Sequence, residues 1–409
     1  MASVGDRGRS VRSRVLYISY TGLLQPLGQS QVLQYLLPLA ADHDISLITY
    51  ERPEDLRDKA QIAVLQRQCD EAGLRWTRLR YHKSPSVPAS LYDIAVGLMV
   101  SLGIAATRRI GIVHTRSYVP GVIGLLHRKL TGRKFIFDMR GFWPDERVDG
   151  GIWSAGSPQY RVTKALEKQL LLGADVVVSL TRMGVEEMKR FDYLKDRPVR
   201  YEVIPTCTNM DVFRPAPPAS TTDGFTLGYV GSAGVWYMFP ETAACIRTLF
   251  DMRPDARLLV INRSEHDYIR RTLEAAGVDM SRVEMRAARY DEVAAQIARM
   301  DAAIFFIKPV FSKRASCPTK LGELMACGRP VLTNQGVGDV DAYLADGRVG
   351  ASISDFNDAA YAQALAELLN LVKDPDVGAR CLQLARDEFS LESGVRRYDA
   401  IYCSLGSAA

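Results

Sequence analysis

The sequence predicts an α/β protein built from two doubly wound parallel sheets, and three observations carry that prediction. Short β-branched or apolar runs alternate with helical patterns along the whole chain, as expected when parallel strands are joined by helical crossovers. The pattern also restarts once. An apolar strand runs into a glycine turn at 16–20 before Thr21-Gly22, and another does so at 227–230 before Gly231-Ser232-Ala233-Gly234. Finally, 409 residues are too many for one ordinary core and suit two domains of about 200 residues each.

In the first half, strands are expected at 15–20, 45–50, 76–80, 112–115, 135–138, 176–180 and 201–204, with a first helix at 31–39. The longest apolar run, 94–106, is interrupted by Gly97, Ser101 and Gly103 and is too short to span a bilayer, so a buried helix is expected there. The segment 213–224 is rich in proline and small polar residues and reads as the linker. Strands then resume at 226–230, 258–261, 283–285, 302–307, 331–333 and 351–353. The amphipathic tail 389–405 is expected to return to the first domain. This gives a first domain of 1–212 with the tail 389–409, and a second of 213–388. Ligands of such Rossmann-like sheets sit at the carboxyl ends of the strands, so two facing sheets predict a cleft between the domains.

Hydrophobic residues make up 47% of the chain and charged residues 24%, a soluble globular balance. The net charge of +5 is too mild to argue for nucleic acid, but it permits an acidic substrate or an anionic membrane surface. Arg7, Arg9, Arg12 and Arg14 crowd the start, and Arg108, Arg109, Arg128, Arg133 and Lys134 recur later. They read either as a solubilising surface or as a face for peripheral contact with anionic lipid. Seven scattered cysteines without a Cys-x-x-Cys pair read as reduced thiols. No apolar stretch precedes Val15, so a secretory signal is not expected, and the reading is a cytoplasmic protein, with a place at the inner membrane face left open.

The densest local signal is Cys317-Pro318-Thr319-Lys320-Leu321-Gly322-Glu323-Leu324-Met325-Ala326-Cys327-Gly328-Arg329-Pro330-Val331-Leu332. Pro318 suits the first position of a helix and Gly328 the left-handed residue after its end. The helix N-terminus then faces the loop 312–317, where its unpaired N–H groups and partial positive charge suit a phosphate. Lys308, Lys313, Arg314 and Lys320 are expected to add cations around that end. Glu323, one turn below Thr319 and Lys320, is suited to accept hydrogen bonds from sugar hydroxyls.

This segment resembles the second half of the donor-binding signature of the retaining GT-B-fold glycosyltransferases of family four. In that family the pattern is Glu, seven residues, Glu, then Met-Ala-x-Gly-x-Pro-Val. The likeness extends over nearly the whole chain. Val203-Ile204-Pro205 with Asn209, Asp211, Phe213 and Pro215 resembles the segment before the family's domain crossover, Tyr229-Val230-Gly231-Ser232 its donor-domain opening, and Phe389-Ser390 through Tyr398 and Tyr402 its returning tail.

The resemblance implies transfer of a sugar from a nucleoside-diphosphate sugar to a hydroxyl of a glycan or lipid-linked glycan, with retention. Neither metal nor cofactor is expected. It assigns Glu323 to the donor ribose, and the backbone around Pro318, Thr319, Lys320 and Leu321 to the diphosphate, beside Gly231 and Ser232. The family's first glutamate falls on Ala315, so backbone atoms of Ala315 and Ser316 take over the sugar, or the donor differs. The usual Arg and Lys after the first donor-domain strand are missing from 231–241, which leaves Lys320, with Arg263 or Lys308, to neutralise phosphate.

On the acceptor side, Gly22, Gly28, Gln29 and Ser30 are expected in the loop between first strand and first helix, which in the family is flexible and borders the reaction centre. His114 reads as a core histidine. Arg116, near where relatives carry a histidine, cannot act as a base but suits an anionic acceptor or the departing diphosphate. Asp138 closes an apolar strand with Arg140 beside it, either as a pair that stabilises the turn or as acceptor recognition, with Phe142-Trp143 as a sugar or lipid platform. Lys320, Arg116, Asp138 and Arg140 are thus the candidate catalytic residues. Asp339-Val340-Asp341 reads as a surface feature rather than a metal site. Two alternatives stay open, a catalytically degenerate nucleotide-sugar-binding protein and a nucleotide-sugar epimerase. A dinucleotide oxidoreductase is disfavoured, because neither glycine turn reads Gly-x-Gly-x-x-Gly.

Overall fold

The computed structural model describes residues 12–216 and 224–406; Arg7, Arg9 and most of the expected linker lie outside them. Two wholly parallel sheets form the frame. The first comprises β1 (Arg14–Ser19), β2 (Asp44–Glu51), β3 (Arg75–Arg80), β4 (Ile112–Arg116), β5 (Lys134–Asp138), β6 (Val176–Ser179) and β7 (Tyr201–Val203). The second comprises β8 (Phe225–Val230), β9 (Ala256–Ile261), β10 (Val283–Arg286), β11 (Ala302–Ile304), β12 (Val331–Asn334) and β13 (Gly350–Ile353). Their orders are β3-β2-β1-β4-β5-β6-β7 and β10-β9-β8-β11-β12-β13. Both reverse direction beside their first strand, at β1/β4 and β8/β11, which opens a crevice at the carboxyl ends of those pairs.

The strands form where the apolar runs predict them, because strands buried on both faces must be apolar throughout. Only β11 stops well short, at Ile304 instead of 307. There the Asn334 side chain takes over the ladder's role, accepting from the Ile307 N–H at 2.7 Å and donating to its carbonyl at 2.9 Å. That lets Ile307 leave the sheet and pair antiparallel with Tyr237.

Two helices differ from expectation. The first begins at Pro26, not 31, and runs on through a π-helical Gln29–Leu33 into Gln34–Asp42. Gly28 and Gln29 therefore lie in its opening turns rather than in the loop. The tight entry explains the glycine, since a Cβ on Gly28 would lie 1.9 Å from the Gly22 carbonyl oxygen.

The apolar run 94–106 belongs to the helix Ser86–Thr107, and it is not buried. Only one side meets the domain: a Cβ on Gly97 would strike the Tyr50 hydroxyl, and Asp93 accepts from Tyr20 at 2.7 Å. On the other side Val87, Leu91, Tyr92 and Met99 are exposed. By length and composition alone, Val87–Thr107 is long and apolar enough to cross a membrane.

The tail returns as expected. The helix Leu391–Gly406 lays Tyr398, Ile401, Tyr402 and Leu405 into the first domain's core. Arg397 donates to the Val203 carbonyl at 2.7 Å, and Leu391 N–H to that of Thr208 at 3.0 Å.

Candidate active site

The donor side is built on the helix Thr319–Ala326. Pro318 is its cap, one residue outside the position expected. Its extended ψ of 117° turns its carbonyl to accept the Leu321 N–H at 3.0 Å and closes the first turn. The Thr319 and Lys320 amides remain without intrahelical partners. Gly328 takes the left-handed conformation, φ +72°, that ends the helix. Leu321 has a wholly buried side chain, so only its backbone borders the site.

Lys320 is buried, and its Nζ has no hydrogen-bond partner among the described residues. It lies 3.8 Å from the ring centre of Tyr237 and 4.8 Å from that of Tyr229. Across from it is Gly231, φ +94°, where a Cβ would come within 3.4 Å of the lysine's Cε and Nζ. Burial pushes the Lys320 pKa down to about 7, against the pull of Glu323 and Glu265. Burial likewise raises Glu323 to about 7, opposed by Lys320.

The turn at Gly231 is held by two residues the sequence reading did not single out. Glu265 accepts the amides of Ala233 at 2.9 Å and Gly234 at 3.0 Å, and Asn262 donates to the Gly231 carbonyl at 3.0 Å. Burial works against the Glu265 charge, but these amides and Asn262 outweigh it and hold its pKa below the ordinary value. Ser232, Arg263 and Lys308 are exposed.

The other expected phosphate cations serve the domain joint instead. Lys313 Nζ pairs with Glu146 at 2.7 Å, and Arg314 with Glu187 at 2.8 Å. Asp339, expected at the surface, is buried; it accepts the Arg182 and Met183 amides at 2.7 and 2.9 Å and so caps a helix of the opposite domain. Asp341 accepts the Gly336 amide at 3.1 Å. Phe142, expected to offer a platform, is wholly buried and stacks on Phe311 at 5.1 Å across the joint. Ala315 is packed in the same place, where a Cβ on Gly184 would lie 3.0 Å from its own. A glutamate at 315 would bury a carboxylate in this joint, which supplies a physical reason for the small residue.

On the acceptor side, Ser19, Arg116 and Asp138 lie abreast in register at the ends of β1, β4 and β5. Arg140 itself adopts the left-handed conformation (φ +64°) and lies 3.8 Å from Asp138; it donates to Gln31 at 3.4 Å. Asp138 and its neighbours hold the Arg140 pKa above the ordinary value despite burial. Tyr398 from the returning helix donates to Asp138 at 3.1 Å. His114 meets Tyr402 at 2.7 Å through Nδ1, but its Nε2 has no hydrogen bond and faces Asp138 at 4.0 Å. Burial lowers its pKa to about 4, so it is neutral at pH 7.

Gly22 abuts Glu51, which accepts the Leu23 and Leu24 amides at 2.8 and 3.1 Å and pins the loop after β1. Arg140 also acts on the Cys317 thiol, so this cluster borders the start of the donor helix. Among the described residues, the group of side chains able to hold a metal is His43, Asp399 and Cys403. It lies at the opposite, amino-terminal edge of the first sheet, where His43 ties down the tail through Asp399 at 2.8 Å.

Residues 29–207 match the family described as "Glycosyl transferase 4-like domain", and residues 225–371 match "Glycosyl transferases group 1". The chain belongs to the GT-B glycosyltransferases. No curated protein matches it in sequence. Among solved structures, this glycosyltransferase resembles a sucrose-phosphate synthase from Thermosynechococcus elongatus, with TM-score 0.76 and 16% identity over 97% of this chain and 100% of that one. It also resembles HepE of Anabaena in complex with UDP and glucose (TM-score 0.66, 12% identity, 96% and 100% covered). A third is WaaG, a glycosyltransferase involved in lipopolysaccharide biosynthesis (TM-score 0.64, 14% identity, 95% and 99% covered). At such identities these likenesses speak for the fold. The two family matches make the chain a glycosyltransferase.

Proposed function

We propose that this enzyme moves a sugar from a nucleoside-diphosphate sugar to a hydroxyl of a glycan or lipid-linked glycan, with retention and without a metal ion or cofactor. The observation that carries the donor assignment is Lys320: a buried cation with no hydrogen-bond partner among the described residues, between the Gly231 turn and a helix N-terminus. An unpaired buried charge destabilises a fold, so its presence is explained by a ligand that pairs with it. A diphosphate meets the need, taking Lys320 and the free Thr319 and Lys320 amides, with Gly231 and Ser232 alongside. Negative charge building on that leaving group is what such a site stabilises.

Glu323 is assigned to the ribose and Ser316 to the donor sugar. Arg263, which is exposed, is given a secondary role with the phosphate. The loop from Gly22 to Gln29 borders the acceptor. Metal independence rests on the family resemblance; Asp339 and Asp341, the stretch of sequence most like a metal-binding carboxylate pair, serve as acceptors for backbone amides. Retention rests on the family resemblance.

The test is thermal denaturation with UDP-, GDP-, ADP- and dTDP-sugars, each with and without EDTA. One nucleotide class should raise the melting temperature by several degrees, unchanged by EDTA. No shift with any class refutes the donor assignment, and a shift abolished by EDTA refutes metal independence.

Peripheral contact with an anionic membrane, at the cytoplasmic face, is a further part of the reading. It is favoured by the exposed apolar side of Ser86–Thr107, whose ends carry Lys83, Arg108 and Arg109. Sedimentation with phosphatidylglycerol vesicles should pull the protein down, and Leu91→Asp with Met99→Asp should release it. Equal recovery of the double variant removes this contact.

A further inference from the structure

Arg116 is more than nine-tenths buried, yet no hydrogen bond or ion pair reaches its guanidinium from any described residue, and its Nε is closed off from solvent. It is the last residue of β4, at the point where the strand order of the first sheet reverses. Its neighbours do not balance it. Asp138 is the carboxylate of the cluster, and it already lies 3.8 Å from a second guanidinium, that of Arg140. His114 is neutral, and Tyr398 spends its hydroxyl on Asp138. Two arginines thus share one carboxylate in a buried place, and Arg140 and burial both press against the Arg116 charge.

The donor diphosphate has a cation of its own in Lys320. Lys320 is carried by the helix Thr319–Ala326 of the second domain and faces Glu323 and Glu265, whereas Arg116 ends β4 of the first domain and faces Asp138. Arg116 also belongs to the sheet opposite the donor helix. A planar guanidinium with free N–H groups fits a phosphate or carboxylate through paired, charge-assisted hydrogen bonds.

We infer that the acceptor of this enzyme is anionic, and that Arg116, backed by Arg140, binds a phosphate or carboxylate close to the attacking hydroxyl. This rests on the glycosyl-transfer reading and names the acceptor class within it. Arg116 acts here as a specificity-determining residue: a neutral sugar leaves its charge buried and unpaired, and is rejected for that reason.

The test uses full-length protein saturated with whichever nucleoside diphosphate stabilises it, and titrates glucose 6-phosphate, glucuronate and glucose by calorimetry. At least one of the two anionic sugars should bind, and glucose should bind at least about tenfold more weakly. Which anionic sugar binds tells phosphate from carboxylate. Arg116→Gln should abolish this preference and Arg116→Lys keep part of it, with nucleoside diphosphate affinity unchanged within about twofold. Arg116→Gln should also melt at or above wild type without ligand, which separates lost recognition from lost folding. Equal binding of glucose, or no anionic sugar bound by nucleotide-saturated wild type, overturns the inference. So does an Arg116→Gln protein that loses nucleotide affinity but keeps the sugars, since Arg116 would then serve the diphosphate. Failure of every nucleoside diphosphate to bind wild type would instead strike the donor reading.

Discussion

Lys320 on the donor helix and Arg116 at the end of β4 are both buried and both without a hydrogen-bond partner among the described residues, yet their surroundings differ. Lys320 lies against the faces of Tyr237 and Tyr229 with Glu323 and Glu265 within electrostatic reach. Its charge is cushioned by aromatic rings and by carboxylates that stop short of ion pairing. Arg116 has a second arginine for a neighbour and shares a single carboxylate with it. Lysine loses its proton readily when buried, whereas arginine keeps its charge throughout. One side can therefore relieve its strain by deprotonation, while the other holds a permanent charge. The donor side is poised to gain a proton as an anion arrives, and the acceptor side is poised to select an anion at any ordinary pH.

The largest effect that would sharpen this contrast is expected from Lys320→Met. Removing the cation aimed at the leaving group should lower kcat by about a hundredfold or more. The same change should leave the melting temperature equal or higher, because no hydrogen bond is lost with the ammonium. Steady-state kinetics beside calorimetry checks both, and an active variant would remove Lys320 from the chemistry.

A smaller effect separates the acceptor-side fold from its charge. His114 and His127 have pKa values lowered to about 4, chiefly by burial, against about 6.5 for the unfolded chain. Between these values the unfolded chain binds more protons, so stability should fall as pH drops from about 6.5 to about 4 and level off beyond either end. The upper bound is roughly 3 kcal/mol for each histidine. Urea unfolding at pH 7 and 4.5 measures it, and His127→Gln should reduce the difference. A flat response would mean that neither imidazole is held neutral by the fold.

The family matches bear on what the sequence could tell. The strand pattern, the restart at 225 and the segment around Lys320 were legible because each follows from local rules: apolar runs make buried strands, and proline and glycine bracket a helix. The returning tail was legible too, since Tyr398 and Tyr402 are spaced to share one helical face. The roles of the remaining cations were not. Lys313 and Arg314 precede Lys320 by seven and six residues in the same basic stretch, but facing glutamates from another domain claim them. Glu265 gave no local signal, because its partners are amides 31 and 32 residues away in the chain.

By itself, then, the sequence determined the two doubly wound sheets, their order in the chain and the helix that carries Lys320 and Glu323, since periodicity and capping act within a few residues. The tertiary structure decided which charges remained unpaired. It drew Phe142 and Ala315 into the domain joint, turned one side of Ser86–Thr107 to solvent, and left Lys320 and Arg116 without hydrogen-bond partners among the described residues. Charge balance is set by groups that meet only after folding, and no local pattern encodes which cation will find its carboxylate.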